Sequence, residues 1–160
     1  MFIRLRLLLR RGRGQEGAAA VEFALILPLL IALVLGGMDL GHAYYIQHLI
    51  TTASREGARY GVKYQLNSST GLPFVPNALT PSISDYVKLP APTGLNYSNL
   101  LSSNANLTVT PGGSGYTGGL SGQILTVTVT ANKHWFVLGG LMGFTNPKTL
   151  NATTAMSVER

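Results

Sequence analysis

At 160 residues the chain has room for one domain with a modest core, and its hydrophobic fraction of 46% is ordinary for a globular protein. It contains no cysteine, which excludes disulfides, thiol nucleophiles, a lipidated cysteine and Cys-rich metal sites. The net charge of +6 is concentrated at one end: five arginines against Glu16 leave +4 in the first 17 residues, and seven Lys/Arg against five Asp/Glu leave +2 in the rest. Basic residues placed directly before an apolar run read as a positive-inside topology signal rather than a nucleic-acid-binding arm, so no nucleic-acid partner is expected.

Four zones follow in chain order. Residues 1–17 form a basic leader ending in RRGRGQEG, and residues 18–64 read as nearly continuous helix, first lipid-like and then amphipathic. Residues 65–105 are a connecting region rich in Ser, Asn and Pro, and residues 106–160 carry the signals of a small antiparallel β-sheet.

Within the helix no charge occurs between Glu22 and Asp39, an interval of 16 residues reading FALILPLLIALVLGGM. At 1.5 Å rise per residue this spans about 24 Å, short of a hydrocarbon core of about 30 Å. The preceding AAAV supplies the missing length if the carboxylate of Glu22 is neutralised. A single pass through a lipid bilayer is therefore expected. Pro28 and the Gly36-Gly37 pair are the places where this helix should kink. Small residues recur every four positions (Ala32 and Gly36; Gly37 and Gly41; Ala53, Gly57 and Gly61), a spacing that lets another helix come close. Gly37, Gly41, Ala53 and Gly57 are accordingly the candidate helix-packing positions. Past Asp39 the pattern turns amphipathic, and Arg55, Glu56, Arg59 and Lys63 mark the exit into water, with fraying expected near Leu66.

Strand signals begin at Leu107-Thr108-Val109-Thr110 and continue in 123–130, where Leu125, Val127, Val129 and Ala131 share one face and three threonines the other. A third run ends the chain, with Leu150, Ala152, Thr154, Met156 and Val158 in phase. Period-two alternation with β-branched residues is the signature of half-buried antiparallel strands, which here would cover the water-exposed end of the helix. The stretch PGGSGYTGGLSG between the first two strands lacks the Lys-Ser/Thr of a phosphate-binding loop and reads as a turn. The apolar cluster from Trp135 to Phe144 either caps the small core, the simpler reading, or dips into the membrane or a partner.

The chemistry lies in Gly14-Gln15-Glu16-Gly17-Ala18-Ala19-Ala20-Val21-Glu22-Phe23. A glycine between a basic segment and an apolar helix makes a flexible, accessible scissile position. Glu22 then sets a carboxylate in apolar surroundings, where desolvation costs several kcal/mol unless it is paired. Cleavage after Gly17 would create an α-ammonium on Ala18, one helical turn from Glu22, able to pair with it in cis or across to a neighbouring subunit. That logic is the type IV prepilin pattern. The stretch from GQEGAAAVEFALILP through Asp39 to ASREGARYG resembles TadE-like proteins, minor pilin-like components of the tight-adherence (Flp) pilus system, and the C-terminal TTAMSVER is similar to their weaker terminal signature.

The resemblance implies an α+β, type IV pilin-like fold, with the long N-terminal helix packed against a small antiparallel β-sheet. It implies a minor pilin or pseudopilin of the inner membrane with its C-terminal domain in the periplasm, or carried into a surface pilus, acting in pilus assembly and adhesion. Its implied partners are a prepilin peptidase, other pilin-like subunits and the pilus assembly machinery. Gly17, Ala18 and Glu22 would be the cleaved glycine, the first mature residue and the assembly glutamate. Two alternatives stand beside it: an uncleaved membrane anchor for an extracytoplasmic interaction domain, and a secreted protein cut near Ala43 within Gly41-His42-Ala43.

No enzyme, metal site or cofactor is expected. His42 and His48 do not share a helix face, and His134 stands alone. Asp39 and His42 form half a metal site at most, with no third ligand in the sequence nearby.

Overall fold

The computed structural model describes residues 13–160 except 64, 65, 67–69, 73, 91–93, 101–106 and 160. The leader residues Arg4, Arg6, Arg10 and Arg11, and several positions of the Ser/Asn/Pro-rich region, lie outside the described residues.

Helix α1 runs from Arg13 to Val62, fifty residues or about 75 Å. It continues unbroken through Pro28 and through Gly36-Gly37. The rest of the chain buries none of its most apolar eighteen-residue window. Leu25, Leu29 and Leu33 are each about 70% exposed, which a helix in water would not sustain and a bilayer would cover.

The helix stops at Val62, four residues before the expected fraying point, with Lys63 N–H donating to the Arg59 carbonyl at 3.2 Å. The chain must turn here to lay its next segment back on α1. Tyr60 fastens that return: its hydroxyl donates to the Pro81 carbonyl at 2.8 Å, and its ring stacks on Tyr86 with centroids 4.0 Å apart.

The returning segment contains a 3₁₀ turn at Pro76–Ala78 and helix α2, Ile83–Lys88. Ser82 caps α2, accepting from the Asp85 N–H at 3.1 Å and donating to the Asp85 carboxylate at 2.8 Å. Ile83 and Val87, spaced i,i+4, are the buried residues of α2 and meet α1 at Gly57. A short α3, Tyr97–Leu100, precedes the sheet.

Three antiparallel strands in the order β1-β2-β3 form that sheet: β1 Leu107–Gly112, β2 Ile124–Lys133 and β3 Lys148–Ser157. The Gly-rich stretch between β1 and β2 is not only a turn, since it folds into α4, Ser114–Thr117. Gly115 is buried there; a Cβ on it would lie 2.8 Å from Val158 Cγ2 and 2.9 Å from the Ile124 carbonyl carbon. The β2–β3 connection holds α5, Leu138–Leu141.

The expected alternation holds. Leu125, Val127, Val129 and Ala131 of β2 are buried, and they pair in register with Met156, Thr154, Ala152 and Leu150 of β3. On the outer face, Thr128 and Thr153 hydroxyls meet at 2.9 Å. The inner face lies on the second half of α1, where Ile46, Ile50, Ala53 and Ala58 are buried. Each fully buried aliphatic side chain contributes about 1.5–3 kcal/mol, so this interface is the main stabilising layer. Polar contacts set its registration: Gln47 Nε2 donates to the Asn151 carbonyl at 3.1 Å, and Ser54 and Thr154 hydroxyls lie 2.8 Å apart. The molecule thus adopts the α+β, pilin-like arrangement of one long helix against a small antiparallel sheet.

Candidate functional site

Two regions of α1 carry polar groups in otherwise apolar surroundings. The first is its N-terminal end. Gly17, Ala18 and Glu22 are all exposed, and a Cβ on Gly17 would meet nothing within 4 Å. The backbone is helical through the Gly17–Ala18 bond. Ala18 and Glu22 therefore stand one turn apart on one face, with Cβ atoms about 5–6 Å from each other by helix geometry. The neighbours of Glu22 are the exposed apolar residues Val21, Phe23, Leu25 and Ile26.

The small residues separate into two groups. Ala53 and Gly57 are buried inside this chain; a Cβ on Gly57 would lie 3.0 Å from Val87 and 3.3 Å from Val127. The close approach they allow is thus used by the chain's own α2 and sheet. Gly37 and Gly41 are exposed, with open space where a Cβ would stand. Gly37 lines an apolar groove that it shares with Leu138, Met142 and Phe144.

The second region centres on Asp39, the residue that ends the uncharged run of α1. Asp39 is completely buried. Its carboxylate accepts from Lys133 Nζ at 3.0 Å, from the Phe136 N–H at 3.0 and 3.1 Å, from Val137 N–H at 2.9 Å and from Leu138 N–H at 3.2 Å. Lys133 is equally buried, donates a second bond to the His134 carbonyl, and lies 5.0 Å from the Trp135 ring centroid and 4.9 Å from that of Phe136. One carboxylate thus joins the end of β2, the following loop and the first turn of α5 to the middle of α1. A charge-assisted cluster of this kind holds its geometry because neither ion can be left unpaired out of water without severe cost.

His42 takes no part in this cluster. Its ring stands 6.3 Å from Phe136 and 6.5 Å from Tyr45 in near-parallel orientation. Among the described residues no group of three His, Cys, Asp or Glu side chains could hold a metal ion.

The missed partner had a visible signal. The inward phase of β2 runs Leu125, Val127, Val129, Ala131, and its next member is Lys133. A lysine in the buried phase of a strand demands an acid, and Asp39 is the acid standing where α1 leaves its uncharged run.

The segment after Lys133 does not cap the core, contrary to the simpler sequence expectation. Of its described side chains only Leu138 is buried, and Leu138 meets Gly36, within the uncharged run of α1. The core cluster is already closed by Ile46, Val129 and their neighbours. Asp39 holds the loop further along the helix, toward the apolar end.

A family model described as TadE-like protein matches residues 17–59, a stretch that holds Gly17, Ala18, Glu22 and Asp39 and stops short of the sheet. No curated protein and no solved structure matches the chain significantly. The long apolar helix α1 agrees with that similarity to TadE-like proteins, which covers 17–59 and not the sheet.

Proposed function

We propose that this chain is a minor pilin or pseudopilin of a tight-adherence type pilus. In this reading a prepilin peptidase removes the leader between Gly17 and Ala18, and Glu22 then serves assembly with other pilin-like subunits. The single observation that supports it most is Glu22 itself, an exposed carboxylate one turn from Ala18 on a helix whose surrounding surface is exposed and apolar. A soluble domain has no use for that combination. A membrane helix does, once cleavage supplies the ammonium of Ala18 as a partner. Glycine at 17 also suits a peptidase that must open the helix locally, because glycine weakens a helix by about 1 kcal/mol relative to alanine.

The same reading sets the topology. The arginine leader stays in the cytoplasm, and the sheet lies on the periplasmic side, carried out by the stretch from Arg55 onward. N-terminal sequencing or intact mass of the protein, expressed with its matching peptidase, tests the assignment. A start at Ala18 is expected, and replacing Gly17 with leucine should leave the precursor uncut. A mature protein that begins at Met1 or at Tyr44 overturns the pilin reading, the first in favour of a plain membrane anchor and the second in favour of a secreted protein.

A further inference from the structure

We infer that the loop from Trp135 to Phe144 is seated in the bilayer, its apolar side chains among the acyl chains of the leaflet nearest the sheet. This rests on the membrane-spanning reading of α1.

Depth is the first argument. Leu138 packs on Gly36, and Met142 and Phe144 form one wall of an apolar groove whose other wall is Leu29, Ala32 and Leu33 of α1. Leu33 and Ala32 lie five and six residues before Met38, the end of the uncharged run, which is about 7–9 Å further along the helix axis. Wherever the bilayer covers those helix residues, it must also meet the loop.

Composition is the second. No Asp, Glu, Lys or Arg occurs between Lys133 and Lys148. Phe136 is 78% exposed, Met142 66% and Phe144 48%, all outside the hydrophobic core. Exposed Phe and Met side chains clustered in this way favour an apolar environment over water.

The backbone of the loop is satisfied by the protein over much of its length. A backbone polar group left unsatisfied in hydrocarbon costs several kcal/mol. Asp39 accepts from the N–H groups of Phe136, Val137 and Leu138. Asn146 serves Trp135 on both sides, accepting from its N–H at 3.2 Å and donating to its carbonyl at 3.3 Å. The Met142 N–H reaches the Leu138 carbonyl at 3.0 Å. The charges of Asp39 and Lys133 cancel inside the same cluster.

The occupant is lipid, because the groove is continuous with the helix surface that the bilayer already covers. Absence of cysteine makes the test clean. Single nitroxide labels are placed at Phe144→Cys, at Leu30→Cys within the span, and at Ile124→Cys at the far end of the sheet, each in the full chain reconstituted in phosphatidylcholine and phosphatidylglycerol vesicles. Accessibility to oxygen is compared with accessibility to a water-soluble nickel chelate. Positions 30 and 144 should favour oxygen, and position 124 the chelate. Trp135, the single tryptophan, should in parallel be quenched by acyl-brominated lipid more than by iodide. Chelate access at 144 equal to that at 124 overturns the loop proposal while lipid exposure at 30 preserves the span. Chelate access at 30 overturns the span itself. Shielding of 144 from both reagents also rejects lipid as the occupant and gives the groove to a neighbouring subunit.

Discussion

Replacing Asp39 with leucine tests whether the buried cluster holds the sheet domain on the helix. The substitution leaves the Lys133 ammonium buried without its anion and takes the acceptor from three N–H groups. Removing one member of a buried ion pair costs about 3–5 kcal/mol. The pair sits at the margin of the fold, outside the core cluster, so about 3 kcal/mol is expected. That is a large fraction of the roughly 5–15 kcal/mol that holds a domain together. Lys133→Met should cost less, because the carboxylate keeps its backbone donors. In the double variant no charge is stranded, and only the unsatisfied N–H groups remain, so the two changes should couple favourably by about 1–3 kcal/mol. Denaturant unfolding of the full chain in detergent, followed by Trp135 fluorescence, measures all four corners of the cycle, since that ring lies 5.0 Å from the Lys133 ammonium. Additive single effects, or a loss under about 1 kcal/mol for Asp39→Leu, would refute a structural role for the pair.

Glu22→Ala should leave membrane insertion intact or improved and the mature N-terminus at Ala18, while co-purification with pilin-like subunits falls roughly 3- to 30-fold, the equivalent of about 0.6–2 kcal/mol per interhelical polar contact. Unchanged co-purification and piliation with correct cleavage would reject its assembly role. Gly61→Ala should destabilise the fold by about 1–2 kcal/mol, because a Cβ there would lie 2.5 Å from Leu125 Cδ2 and 2.7 Å from Ile83 Cδ1, and overpacking outweighs the helix-propensity gain; equal or higher stability by denaturant unfolding would show that the neighbours yield freely. Gly37→Ala meets open space and should leave the isolated chain as stable or up to about 1 kcal/mol more so. If Gly37 faces another helix, the same change lowers co-assembly measured by crosslinking; wild-type crosslinking yields would remove it from any interface.

How far the site was legible differs between its two halves. Glu22 could be read directly, because a lone carboxylate in an apolar run conflicts with its surroundings whatever the fold. Asp39 was read only by its position at the end of that run. Its partner lies 94 positions away, and nothing local to either residue points to the other. Lys133 carried a hint in the phase of β2, yet the phase alone cannot say which acid faces it.

The sequence by itself determined the long helix, its uncharged segment, the inward faces of the strands and the point where charge returns, because each follows from local periodicity and the cost of burying polar groups. Tertiary structure alone decided where the small residues face: Ala53, Gly57 and Gly61 turned inward beneath α2 and the sheet, Gly37 and Gly41 outward. It also decided that the Trp135–Phe144 loop leaves the core for the apolar end of the helix, where Leu138 meets Gly36. Helix periodicity says which residues share a stripe. Which stripe meets the sheet is a matter of registration between distant segments, here set by Asp39, Ser54 and Gln47 through bonds to residues about a hundred positions away.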